Sequence, residues 1–152
     1  MQVSTELLAK INESIDFFES FTPGELMALL LVAKEEMFEP DEVVFKEEAE
    51  GEKMYIIKEG AVRITRSLDD NEEVLGTLDV GGCFGEMAII DDSPRSATAT
   101  ADKDGATLLS FKEGVLSERN QLVAFKLYRN LATMLAERLR ETNDKLHEAT
   151  KD

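Results

Sequence analysis

Arg95 follows Glu86 by nine residues in the stretch Phe84-Gly85-Glu86-Met87-Ala88-Ile89-Ile90-Asp91-Asp92-Ser93-Pro94-Arg95-Ser96. These residue types suit a small phosphorylated ligand. A guanidinium holds a phosphate through two parallel N–H···O bonds, and the Ser96 hydroxyl adds a further donor. Gly85 lets the main chain approach a ligand closely and opens a short apolar run, Met87 to Ile90, too short for a full helix, where N–H groups exposed at a helix start would favour an anion. Glu86 is the opposite kind of group, an acceptor suited to sugar hydroxyls. Donors and an acceptor converging on one small pocket describe a ligand with a phosphate at one end and a ribose beside it.

Each residue also has a plain reading. Arg95 could pair with Asp91 or Asp92 on the surface, and Glu86 could be a solvated carboxylate. Asp91-Asp92-Ser93-Pro94 reads as a turn without chemistry. Cys83 suits a small buried position beside the segment, where its oxidation could be felt. His147 reads as solvated, and Glu35 to Glu52 as an acidic solvated face.

Composition removes most competing chemistries. The chain has 152 residues, with 17 Lys and Arg against 32 Asp and Glu, a formal net charge of −15. So acidic a chain is a poor nucleic-acid binder and a poor fit to an anionic membrane surface. A single cysteine excludes an internal disulfide, a four-cysteine zinc site and a cysteine-ligated iron–sulfur cluster. A single histidine, late in the chain, supports neither a cupin-type metal cage nor a Ser–His–Asp triad. No metal or cofactor is expected, and the chain is read as non-enzymatic. No apolar run approaches the roughly 20 residues of a membrane helix, and no signal-peptide core opens the chain. The expectation is a soluble, cytoplasmic protein, and with 43% hydrophobic residues it should fold.

The elements that must position these residues fall in three zones of one domain. Residues 1–34 read as helices, with Leu7, Leu8, Ile11 and Ile15, then Leu26, Leu29, Leu30 and Ala33, at helical spacing. Thr22-Pro23-Gly24-Glu25 predicts a helix start with a capping box. Residues 35–112 read as short strands: Val43–Phe45, Met54–Ile57, Ala61–Thr65, Val74–Leu78, a strand-like Cys83-Phe84, Ala97–Ala101 and Thr107–Phe111. Turn signals lie between them at Pro40-Asp41, Glu50-Gly51-Glu52, Glu59-Gly60, Asp69-Asp70-Asn71 and Gly81-Gly82. The fold class is therefore mainly β with flanking helices, a β-roll or jelly-roll barrel. Val62 and Ile64 alternate with Arg63 and Thr65, as do Ala97, Ala99 and Ala101 with Thr98 and Thr100, predicting strands with one buried face.

Residues 113–152 return to helix. Phe125, Tyr128, Ala132, Leu135, Leu139, Thr142, Leu146 and Ala149 alternate steps of three and four, a coiled-coil seam that predicts a homodimer. Leu127, Leu131 and Met134 lie off the seam and are expected to pack back onto the roll. Thr142 interrupts the seam where polar residues often set register or touch a ligand.

Phe84-Gly85-Glu86, then Pro94-Arg95, then small residues alternating with Thr through residues 84–101 resemble the phosphate-binding cassette of the cyclic nucleotide-binding domain family. Lys58-Glu59-Gly60-Ala61-Val62-Arg63-Ile64 is similar to that family's strand-turn-strand around a glycine. Leu135 to Leu146 resembles the dimer helix of the bacterial catabolite-activator-type regulators. The resemblance implies a β-roll with N-terminal helices and a long C-terminal dimerisation helix. It implies that the amides from Gly85 to Ala88, through Glu86 and Met87, hold a cyclic phosphate with Arg95 and Ser96, while Glu86 accepts from the ribose 2′-hydroxyl. A hydroxyl at Ser96 can, in that family, contact the phosphate or favour guanine by bridging to its amino group. Ile64, Leu75 and Leu78 would wall the sugar and base. Thr142 and Asn143 match helix positions that reach the base, one of them from a partner subunit.

The implied ligand is cAMP in preference to cGMP, and the implied output is an unidentified protein effector reached by helix repositioning. In those regulators a helix-turn-helix domain follows the dimer helix, whereas this sequence ends at Asp152. The expectation is a regulatory half without a DNA-reading half. A nucleotide-independent dimeric scaffold on the same fold is the alternative.

Overall fold

The computed structural model describes residues 5–14, 18, 20–87, 92–112 and 121–150. Two helices open the chain, α1 (Thr5–Ser14) and α2 (Pro23–Leu31). The start of α2 is the expected capping box. Glu25 N donates to Thr22 Oγ1 at 3.1 Å, and Thr22 N donates to Glu25 Oε1 at 3.0 Å. Two of the helix's orphan donors are thereby satisfied. Leu7, Leu26, Leu29 and Leu30 are buried, with Leu8 and Ala33 partly so. Ile15 lies outside the described residues.

Six antiparallel strands form the roll: β1 (Lys34–Phe38), β2 (Val43–Phe45), β3 (Lys53–Leu68), β4 (Asn71–Leu78), β5 (Cys83–Phe84) and β6 (Thr98–Lys112). Their order is β1-β6-β3-β4, with β2 also paired to β6 and β5 to β3. Strand β1 falls within the acidic stretch expected to be a solvated face. Its carboxylates project from a sheet edge, where Glu35 meets Lys58 at 3.0 Å and Glu36 meets Lys53 at 3.3 Å.

Two expected breaks are absent. Glu59-Gly60 reads as a turn in the sequence, yet β3 runs straight through it, with register shifts between Ile57 and Glu59 and between Gly60 and Val62. Gly60 has φ +80°, and a Cβ there would stand 2.1 Å from the Gly105 carbonyl oxygen. The glycine serves a bulge in which two backbones nearly touch. Likewise the strands expected at 97–101 and 107–111 join as one, bent at Gly105 with φ +76°.

Alternation along β3 builds two cores. Met54 and Ile56 face the helices, beside Leu109, Phe111 and Leu30. Tyr55, Ile57 and Val62 face the roll interior, beside Phe84, Ala99, Ala101 and Leu108. A strand covered on both faces reads as a continuous apolar run, which is what Met54-Tyr55-Ile56-Ile57 is. Thr65 and Thr100, expected on a solvated face, are also buried. The Thr65 hydroxyl donates to Glu72 Oε1 at 2.6 Å, so it is covered on the polar face of the strand with its donor satisfied.

The chain closes with α3 (Gln121–Ala149). Val123, Leu127 and Leu131 are buried against the first core, with Met134 and Tyr128 partly so; Ala124 is also buried, and from Glu137 onward every described residue is exposed. Lys126 Nζ donates to Glu25 Oε1 at 2.7 Å and to the Ser20 carbonyl at 3.1 Å, pinning α3 to the start of α2. Among the described residues no helix is long and apolar enough to cross a membrane.

Candidate functional site

Strand β5 pairs with β3 through Tyr55 and Phe84, whose rings stack at 5.2 Å with 15° between planes. Phe45 of β2 leans on both rings, at 6.0 and 5.9 Å. This aromatic floor is where β5 ends and the chain turns out at Gly85, with φ +74°. A Cβ at Gly85 would lie 2.8 Å from Arg95 Nη1 and 3.2 Å from the Lys53 carbonyl oxygen, so glycine is required by both φ and contact.

Arg95 is 6% exposed. Its Nη1 donates to the Gly85 carbonyl at 3.1 Å and its Nη2 to the Lys53 carbonyl at 2.8 Å. Its Cζ sits 4.0 Å from the Phe45 ring centroid, within cation–π range. The surface ion pair with Asp92 is not made, and Asp91 lies outside the described residues. Burial lowers the Arg95 pKa from its ordinary value, opposed by Tyr55 and Glu86. Its Nε is buried and without a hydrogen-bond partner among the described residues. Cationic donors have thus been placed in a low-dielectric wall, where they act strongly on an anion.

Glu86 is 4% exposed, so the solvated reading fails. Its Oε1 accepts from Arg138 Nη1, a residue of α3 whose side chain is 53% exposed. Arg138 was not among the candidates drawn from the sequence. The signal for it was present in the roll-facing stripe Leu127, Leu131, Met134, whose steps of four and three place Arg138 next.

These groups share a cavity of about 510 Å³. Gly85, Glu86, Met87, Arg95 and Ser96 line its polar side. Ile64, Leu75 and Leu78 line its apolar side, and Arg138 reaches in from α3. Gly85, Glu86, Met87, Arg95 and Ser96, the expected phosphate and ribose ligands that are described, are therefore at one cavity, and Ala88 lies outside the described residues. Thr142 and Asn143 are exposed and do not line this cavity within a single chain. Thr142 Oγ1 instead donates to the Arg138 carbonyl at 2.8 Å, one turn back on its own helix. Cys83, half-buried at the cavity edge, has its thiol pKa pushed well up by burial and then by Glu86. His147 is exposed.

Residues 35–118, more than half of the chain, match the family described as cyclic nucleotide-binding domain. The cyclic AMP receptor protein of Thermus thermophilus is 34% identical over 129 residues, 83% of this chain and 58% of that protein. The crystal structure of the Thermus thermophilus catabolite activator protein superposes with a TM-score of 0.77 at 31% identity, covering 88% of this chain and 62% of that one. The N-terminal domain of a Streptomyces coelicolor transcriptional regulator superposes with a TM-score of 0.73 at 27% identity, covering 90% and 94%. The chain spans about three fifths of the length of these two Thermus thermophilus relatives.

Proposed function

This chain belongs to the cyclic nucleotide-binding domain family, and from that premise we propose that it is a cytoplasmic, non-enzymatic cyclic nucleotide sensor that prefers cAMP to cGMP and signals to a protein partner. The observation that carries the reading is the convergence of Arg95, Glu86 and Gly85 on one cavity with an apolar opposite wall. The guanidinium and the Ser96 hydroxyl bind the cyclic phosphate, Glu86 accepts from the ribose hydroxyl, and the wall of Ile64, Leu75 and Leu78 excludes water from the sugar and base. The name of the Thermus relative, a cyclic AMP receptor, supports cAMP. Arg138 couples the ligand to α3, because a ribose hydroxyl and this guanidinium compete for, or share, the Glu86 carboxylate. Movement of α3 then alters the surface offered to a partner.

Titration of cAMP and cGMP into the protein and into Arg95→Ala tests this. A hydrogen bond to a charged group is worth about 1.5–3 kcal/mol, so Arg95→Ala should weaken cAMP binding at least about tenfold. Equal affinity of the two proteins would remove Arg95 from the site. Absence of binding by either nucleotide, with no rise in melting temperature, would return the chain to the scaffold reading.

A further inference from the structure

Gly51 lies between β2 and β3, and its main chain is not among the glycines with positive φ. Backbone conformation therefore does not demand glycine there. The surroundings do. A Cβ on Gly51 would stand 2.3 Å from Arg95 Nε and 2.5 Å from both Cζ and Nη2. No real Cβ contact is so short, and the group it meets is not the loose end of a flexible side chain. The guanidinium is held by the Gly85 and Lys53 carbonyls and rests on the Phe45 ring. The main chain of Arg95 is tied to the same loop, with Glu48 N donating to its carbonyl and its N donating to Ala49 O, both at 2.8 Å. Neither partner can retreat without breaking that set of bonds.

We propose that Gly51 is a positioning residue for the phosphate-binding guanidinium: its bare main chain closes over Arg95 and fixes the direction in which the free N–H groups face the cavity. Gly51 does not line the cavity, so it acts on a ligand only through Arg95. A methyl group at 51 would push the guanidinium off its two carbonyls. Donors displaced by an ångström lose most of a hydrogen bond's directionality. The inference rests on the reading of Arg95 as the phosphate ligand, but its physical core, the fit of Gly51 to Arg95, can be measured without nucleotide.

The experiment is a double-mutant cycle on the full chain: wild type, Gly51→Ala, Arg95→Ala and the double variant, each followed by thermal melting and by cAMP titration. Gly51→Ala is expected to lower Tm by several degrees and weaken cAMP at least about tenfold. In the Arg95→Ala background the same change should leave affinity unaltered and raise Tm slightly, because alanine narrows the unfolded ensemble at a position that tolerates it. If Gly51→Ala fails to fold, recovery of a cooperative melt in the double variant supports the inference. An equal Tm penalty with and without Arg95, no effect of Gly51→Ala, or a double variant that stays unfolded while Arg95→Ala folds would each overturn it. If wild type binds neither cyclic nucleotide yet the Tm coupling persists, the ligand reading fails and the positioning of Arg95 stands.

Discussion

Glu86 is the residue on which the site's electrostatics turn, since it is a nearly fully buried carboxylate whose partner, Arg138, is half in water. The two halves of that pair should respond differently to deletion. Arg138→Ala leaves a buried anion without its donor and should cost about 1–3 kcal/mol, discounted from a fully buried pair because Arg138 is solvent-screened. Glu86→Gln keeps an acceptor for the guanidinium and removes the buried charge, so it should cost less. Urea unfolding of the two variants checks the order, and a larger loss for Glu86→Gln would show that the pair contributes little. At this scale the sequence was informative where partners are close along the chain. Gly85, Glu86, Arg95 and Ser96 fall within twelve consecutive residues and their types state their chemistry. Arg138 is 52 residues from Glu86, and only the face of α3 that meets the roll connects them. The engagement of Arg95 with main-chain carbonyls, in place of a neighbouring aspartate, was equally hidden, because backbone acceptors leave no trace in residue types.

Elements were legible where local physics decides them. Thr22, Pro23 and Glu25 state the start of α2 through backbone donors three residues away. Gly60 misled because a positive φ serves a turn and a bulge alike, and only the approach of Gly105 from the paired strand separates them. The same capping residue, Glu25, also fastens one element to another. The hydrogen bond from Lys126, with those from Thr22, holds its pKa down from 4.5 to about 2. A folded pKa below the unfolded one contributes stability that is present above the unfolded value and lost as pH falls through the folded one. The contribution of this junction should be complete above about pH 4.5, decline below it and vanish near pH 2. Thermal melts of wild type and Glu25→Gln across that range should diverge above pH 4.5 and converge toward pH 2. A gap that does not narrow with acid would mean that Glu25 acts by its shape and not by its charge.

For the whole molecule, a net charge of −15 opposes the association of two copies, yet the exposed end of α3 carries little of it. From Glu137 to Ala149 four acids (Glu137, Glu141, Asp144, Glu148) face three bases (Arg138, Arg140, Lys145), a net of −1. Along the same stretch the seam leaves Leu139 and Leu146 exposed at 61 and 62%, as it does Phe125 near the start of the helix at 62%. Burial of this apolar stripe would be favourable, and its heptad spacing fits it to its own copy. The resemblance to the catabolite-activator dimer helix implies that in such a dimer Thr142 and Asn143 would reach a base bound by the neighbouring chain, a route that a single chain does not provide. Sedimentation equilibrium should therefore report about twice the 17.0 kDa chain mass. Leu139→Glu with Leu146→Glu should reduce it to that of one chain while leaving the melting temperature of the roll close to wild type, because both residues are exposed and lie beyond Leu131, the last buried residue of α3. Added salt should strengthen wild-type association by screening the repulsion between two acidic bodies. A mass of one chain for wild type at high salt would assign the stripe to a different partner, and with it the path from nucleotide to output.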